Sequence, residues 1–354
     1  RSILVPHGGH QRFDERIAKT ATEVRADSIV LLDATLVFWL LKQQGTDATF
    51  LRSVTAPVIG LDVWNVKENG LAWDVGGATW HHSIHSLEVT RRLVPVPFAR
   101  PTGAAGLYDA LPSTFDIDDE DREDVRKDFG VGDKDRLLLL TSAPWQQSGP
   151  DETARRLAVT LPSLVDELIG RVGHRVRVVH IGPESYSMPC LGDRYTWLAP
   201  RTPARFAKIL ASSDLLLSFN FSATTIASAI AQGLPVLLGV NSYAGKAETI
   251  ATSLPEPPSA PLRAWLERAS PVAPFRVWPL GLHRYLARLA DGNPYTTALR
   301  TVEVLDERAF VDAMRALLFD DDARGDLRER QATYRRDVAR LPKAADLVQG
   351  YLKS

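Results

Sequence analysis

Two histidines near the start, His7 and His10, flank a glycine pair in His7-Gly8-Gly9-His10, directly after the apolar run Ile3-Leu4-Val5-Pro6. Such a run reads as a buried strand, and paired glycines let the chain turn sharply out of it. The turn would carry a histidine to the carboxyl edge of a sheet, where an imidazole of ordinary pKa can take a proton from a hydroxyl. His10 is the first candidate base and His7 the second; the alternative for either is a loop histidine that packs locally. Asp33 and Asp62 close two further strand-like runs, 28–32 and 58–61, and either could orient such a histidine.

A second group suits an anion. Asn220, Ser222, Thr224 and Thr225 surround the first turn of a helix that the spacing of Ala223, Ile226, Ala227, Ile230 and Ala231 predicts. Unpaired amides and the helix dipole at such a start attract a phosphate or carboxylate. The plainer alternative is Ser222 as an N-cap. Trp145, a large apolar surface in the polar loop Ser142-Ala143-Pro144-Trp145-Gln146-Gln147, could stack on a ring or pack under the loop. Lys246 and Arg201 could meet an anion, and a solvated arginine is the alternative for the latter. Trp80-His81-His82-Ser83-Ile84-His85 invites a metal reading, but on a helix only His81 and His85 would share a face, so no metal is expected there.

The elements that must position these groups alternate. Continuous apolar strands are expected at 137–141, 176–181, 215–219 and 235–238, with helices at 151–169, 203–212 and 223–231 between them. Strands without polar alternation are covered on both faces, and the strand–helix rhythm argues for a parallel sheet flanked by helices. The first third repeats the rhythm more sparsely. Two prolines make 94–98 an edge-like segment. The fold class expected is α/β, with two Rossmann-like parallel-sheet domains facing across a cleft. The boundaries expected are 1–115, 116–310 with a proline-rich insert at 255–274, and helices over 311–354, the last returning to the N-terminal domain.

Three segments carry a resemblance. The first is Arg122-Glu123-Asp124-Val125-Arg126-Lys127-Asp128-Phe129-Gly130 leading into the strand Leu137-Leu138-Leu139-Leu140-Thr141-Ser142. The second is Tyr195-Thr196-Trp197-Leu198, Phe206 and Ala211-Ser212-Ser213-Asp214-Leu215-Leu216-Leu217-Ser218. The third runs from Ser222 to the exit Gly233-Leu234-Pro235. Together they resemble the GT-B superfamily of nucleotide-sugar glycosyltransferases, in its bacterial branch. The resemblance implies a donor site on the C-terminal domain. There the loop at Ser142, Trp145 and Gln146 would clamp phosphates, His180-Ile181-Gly182-Pro183-Glu184 would lie beneath the donor base, and Tyr195, Trp197 and Arg201 would read it. Ser222, Thr224 and Thr225 would meet the diphosphate and Lys246 a phosphate or sugar. It also implies an acceptor-side base at His10 or His7. One departure stands out: where the family carries a glutamate for the donor ribose, this chain has Ser228.

Composition bounds the rest. At 354 residues, 45% hydrophobic and 24% charged, the chain can fill real cores and is not disordered. A net charge of -1 gives no general drive toward nucleic acid or an anionic membrane. The single Cys190 excludes an internal disulfide. The apolar run near residue 29 is too short and too charged to span a membrane, and no signal-peptide pattern opens the chain, so a cytoplasmic location is expected. The resemblance implies transfer of a sugar from a nucleoside-diphosphate donor to a small acceptor, in bacterial secondary metabolism such as antibiotic biosynthesis or in envelope biosynthesis, with no tightly bound cofactor. Another GT-B reaction class, such as a sugar-nucleotide epimerase or a pseudo-glycosyltransferase, stays open, as do a catalytically silent GT-B-like partner protein and a homodimer.

Overall fold

The computed structural model describes every residue except 1–12, 35–36, 38–40, 42–50, 52–53, 55, 67–70, 76–77, 83–88, 98, 102–104, 149–151 and 354, with backbone alone at 13–14, 71–75 and 78–82. The chain divides into two compact units. Unit 1 comprises Arg1–Ala72, His81–Ala110 and Arg336–Ser354; unit 2 comprises Trp73–Trp80 and Leu111–Arg335.

In unit 1, helix α1 (Phe13–Glu23) precedes a parallel sheet of β1 (Ile29–Leu31), β2 (Val58–Leu61), β5 (Arg91–Val96) and β6 (Leu107–Asp109), paired in that order. Strands β3 (Leu71–Val75) and β4 (Ala78–His82) intervene in sequence and join a different sheet. Two sequence expectations change here. His81 and His82 lie in a strand, not on a helix. The proline-bearing segment β5 is not an edge: it pairs with β2 on one side and β6 on the other. The Val94 amide bonds Gly106 on the β6 side, so a Pro95 amide would face β2, whose last partner is Leu61, opposite Leu93. Pro95 thus lies where no ladder bond is owed.

Unit 2 is built on six parallel strands: β7 (Arg136–Thr141), β8 (Val176–Ile181), β9 (Tyr195–Leu198), β10 (Leu215–Ser218), β11 (Val236–Val240) and β14 (Arg300–Glu303). Their order is β14-β11-β10-β7-β8-β9. The chain starts at the centre with β7, runs out through β8 and β9, returns, and runs out the other way from β10. This is the doubly wound order, and the reversal lies between β7 and β10. Leu137 to Leu140 are at most 3% exposed, as expected of a strand covered on both faces.

The helices between strands start and stop on local signals. α2 (Asp119–Asp128) is capped by Asp118, whose carboxylate accepts the Asp121 amide. α3 (Pro144–Ser148) and α4 (Glu152–Val172) follow β7, and α5 (Pro203–Ser212) is capped by Thr202. α6 (Thr224–Gln232) follows β10 and ends on Gly233 at φ 71°, a left-handed position natural to glycine. α7 (Ala247–Ser253) follows β11.

The stretch read as a proline-rich insert contains α8 (Ala260–Ala269), whose Leu262, Trp265, Leu266 and Ala269 are all buried. Trp265 Nε1 donates to Thr160 O of α4 at 2.8 Å. The apolar stripe at i, i+3, i+4 and i+7 is a core-packing signal masked by the flanking prolines. Beyond it, β12 (Phe275–Val277) and β13 (Gly281–Leu282) form a second sheet with β3 and β4, ordered β12-β13-β3-β4. β12 also bridges Asn220 and Asn241, the residues just past β10 and β11, so it crosses the carboxyl ends of the main sheet. α9 (His283–Ala290), α10 (Glu307–Phe319) and α11 (Asp321–Val338) follow. The last helix, α12 (Ala344–Lys353), packs on β5 and β6 of unit 1.

Candidate functional site

At the reversal point of the main sheet two strand ends deliver hydroxyls side by side. Thr141, the last residue of β7, and Thr225, in the first turn of α6, bring their Oγ1 atoms to 3.4 Å. The start of α6 differs from the expected cap. Ala223 is the N-cap, and it makes no side-chain cap hydrogen bond. Ser222 instead donates to Asn220 Oδ1 at 2.7 Å, and its amide makes a second bond to the same oxygen at 2.9 Å. An asparagine two residues back outcompetes the helix for this hydroxyl. Thr224 is exposed at the helix start.

Next to Thr141, Ser142 enters a buried polar network. Its Oγ lies 2.8 Å from His180 Nε2 at the end of β8, and His180 Nδ1 lies 2.8 Å from the Tyr195 hydroxyl on β9. The Tyr186 amide donates to that hydroxyl at 2.9 Å, and the Tyr186 ring stacks on His180 with centroids 4.2 Å apart. His180 is fully buried, and burial lowers its pKa from 6.5 to about 4. Burial also pushes the Tyr186 hydroxyl up to about 12, against the pull of Ser142 and Gln147. That hydroxyl and Gln147 Oε1 are buried without a hydrogen-bond partner of normal geometry. Gln147 Nε2 donates to Glu184 O at 2.9 Å. A methyl group at Gly182 would overlap Ser142 Oγ and press on His180 Nε2.

The other site residues foreseen from sequence scatter. Gln146 is 4% exposed, its Oε1 accepts the Ala143 amide at 2.9 Å, and its Nε2 donates to Trp278 O at 3.1 Å. One end of its amide is bonded to its own loop and the other to Trp278, just past β12. Trp145 on α3 is 38% exposed and Trp197 on β9 is 37% exposed, with its Nε1 tied to Gly182 O at 3.0 Å. Arg201 is exposed in the loop before α5, and Lys246 is exposed at the start of α7. Ser228 turns its hydroxyl back onto Thr224 O of its own helix at 3.2 Å.

In unit 1, Asp62 is fully buried, and its carboxylate holds the Val66 amide at 2.8 Å and Arg92 at 3.2 Å. A carboxylate engaged that way braces a turn and a strand. Asp33 follows β1, and its carbonyl accepts the Val37 amide. His7 and His10 lie outside the described residues.

Sequence reading missed three contributors: Tyr186, Gln147 and Arg276. Arg276 sits on β12 with its carbonyl accepting the Phe221 amide at 2.8 Å, one residue before Ser222. Burial lowers its pKa, Glu303 opposes the shift, and its Nε is buried without a hydrogen-bond partner. An arginine between two apolar residues in Phe275-Arg276-Val277 was the available signal.

Among the described residues, no group of three or more His, Cys, Asp or Glu side chains could hold a metal ion, and no helix is long and apolar enough to cross a membrane. Solved structures match over most of the chain. A sucrose-phosphate synthase from Thermosynechococcus elongatus is 13% identical with a TM-score of 0.50, covering 96% of this chain and 77% of its own. Arabidopsis thaliana UGT89C1, solved with quercetin, is 10% identical with a TM-score of 0.50, covering 96% and 75%. At such identities the likeness concerns the fold, which is GT-B, with two Rossmann-like parallel-sheet units. No curated protein matches the sequence. A family profile does match, over residues 1–353, and by it the chain belongs to DUF6365, a family of unknown function.

Proposed function

We propose that this protein is a glycosyltransferase that binds a nucleoside-diphosphate sugar on unit 2 and passes the sugar to a small-molecule acceptor. The observation that carries the reading is the convergence of Thr141, Ser142 and Thr225 at the reversal point of a doubly wound sheet, beside a helix start that no side chain caps. Phosphates favour such a place because amides and the helix dipole are already aimed at them. Arg276, desolvated and next in the backbone ladder to Phe221, supplies positive charge for the departing diphosphate. Trp197 and Trp145 offer ring faces to a base or sugar, and Lys246 and Arg201 further cations. The acceptor hydroxyl gives up its proton to His10, with His7 as the alternative. Bacterial secondary metabolism and envelope biosynthesis are the settings we favour.

A second reading rests on Ser228. Its hydroxyl is bound within its own helix, so that position offers a donor ribose no carboxylate. A catalytically silent partner protein on the same fold, or a GT-B enzyme of another reaction class, would tolerate that.

Calorimetric titration of the full chain with UDP, GDP and dTDP separates these readings. One of them should bind, and Thr224→Val/Thr225→Val should weaken it by roughly 1–3 kcal/mol through lost hydrogen bonds. Binding unchanged in the folded double variant removes the site at α6. No binding by any diphosphate sets the donor reading aside in favour of the silent partner.

A further inference from the structure

A line of hydrogen bonds leads inward from Ser142 through His180 to Tyr195, and the tautomer of His180 sets its direction. The Tyr186 amide can only donate, and it donates to the Tyr195 oxygen at 2.9 Å. Tyr195 has one proton of its own, and it donates that proton to His180 Nδ1, 2.8 Å away, when the imidazole is the Nε2-protonated tautomer. A neutral imidazole that accepts at Nδ1 carries its proton on Nε2. Nε2 then donates to Ser142 Oγ, 2.8 Å away. Gln147 Nε2, also a donor, approaches the same oxygen at 3.5 Å. With His180 and Gln147 as donors on its inner side, Ser142 has its own proton left to offer, either to the Tyr186 hydroxyl beside it or to a ligand outside the network.

We propose that His180 and Tyr195 are positioning residues that relay the polarity of the Tyr186 amide to Ser142, fixing it as a one-way donor that selects a phosphoryl oxygen of the bound ligand. This rests on the donor reading above for the ligand's identity, though not for the direction of the relay. Hydrogen bonds in series polarise one another, so the outer hydroxyl donates more strongly than an isolated serine. The ring cannot easily turn to reverse the order. It is fully buried and stacked on Tyr186 at an interplanar angle of 21°, and the space beyond Ser142 Oγ and Nε2 is closed by the backbone of Gly182. Burial also disfavours the doubly protonated ring, which would make both ring nitrogens donors.

The test uses the full chain with 15N-labelled histidine. It has 8 histidines, and His180 is assigned by the signal that disappears in His180→Gln. The expected spectrum at neutral pH shows His180 protonated at Nε2 and bare at Nδ1. Tyr195→Phe should turn it into a mixture of both tautomers. A parent ring protonated at Nδ1 overturns the relay. In parallel, UDP affinity should fall about tenfold in Tyr195→Phe and in Ser142→Ala, with the double variant no weaker than Ser142→Ala alone. Additive losses in variants whose circular dichroism matches the parent also overturn it. A parent that binds no UDP removes the nucleotide reading instead, while the ring-nitrogen signals still decide the direction of the relay.

Discussion

His180 shows how a residue's chemistry depends on what surrounds it. In Val178-Val179-His180-Ile181 it is one polar residue in an apolar strand, and sequence reading placed it at that strand's end, beneath a ligand base, with no partner named. Its partners Ser142 and Tyr195 lie 38 and 15 residues away on the two neighbouring strands. Strand order was not legible from periodicity, so neither was the network. The same holds for Asp62, whose partner Arg92 is 30 residues on, across the next parallel strand. The buried imidazole makes a prediction about acid. Folded, it takes up a proton only near pH 4; unfolded, it does so near 6.5. The unfolded chain therefore binds the extra proton between these values. His180's contribution to stability is complete above about pH 6.5 and is lost as pH falls toward 4, at about 1.4 kcal/mol per pH unit. Urea denaturation at pH 7.5 and 5 should show the parent losing about 2 kcal/mol more than His180→Gln. Equal losses would mean that the folded ring takes up its proton over the same pH range as the unfolded one.

Elements were more legible than residues, because periodicity and caps are local. Strand 176–181 coincides with its expectation, and so does helix 203–212, announced by Thr202 and Pro203. Where the reading failed, a local signal misled. Prolines at 95 and 97 suggested an edge, yet Pro95 sits just past the end of β2's pairing and costs the ladder nothing. Prolines around 255–274 marked the stretch as an insert and hid the stripe of α8. Trp265 lies 1% exposed against α4, with its indole nitrogen bonded to Thr160 O. Its removal leaves a large void and takes one donor from Thr160 O, which keeps its bond from the Ser163 hydroxyl. Trp265→Ala should therefore destabilise unit 2 by roughly 3–5 kcal/mol. Denaturant unfolding followed by circular dichroism measures it, and a loss under about 1 kcal/mol would show that α8 is a peripheral strap.

At the scale of the molecule, neither unit is a continuous stretch of chain. Unit 1 takes its sheet from the first 110 residues and its covering helix from the last 19, and unit 2 includes Trp73–Trp80. A reading along the sequence finds the two strand–helix rhythms but cannot see that β3 and β4 leave one unit's stretch to extend a sheet in the other. The proposed diphosphate site lies wholly in unit 2, whereas α12 belongs to unit 1, so the two can be tested apart. α12 is held by a backbone bond from the Asp109 amide to Pro342 O, by the Lys343–Asp109 ion pair and by Tyr351, whose hydroxyl donates to Arg92 O at 3.3 Å. Arg91 also lies over the Tyr351 ring at 5.7 Å. Truncation after Val338 removes all of these and uncovers one side of β5 and β6. The expected outcome is faster proteolysis within residues 81–110, because exposed strands open locally at lower cost. UDP affinity, read by calorimetry on the same truncated chain, should stay within about twofold of the parent, since every residue proposed to touch the diphosphate is retained. A fall in affinity comparable to that of Ser142→Ala would show instead that the donor site depends on unit 1, and the assignment of binding to unit 2 alone would have to be given up.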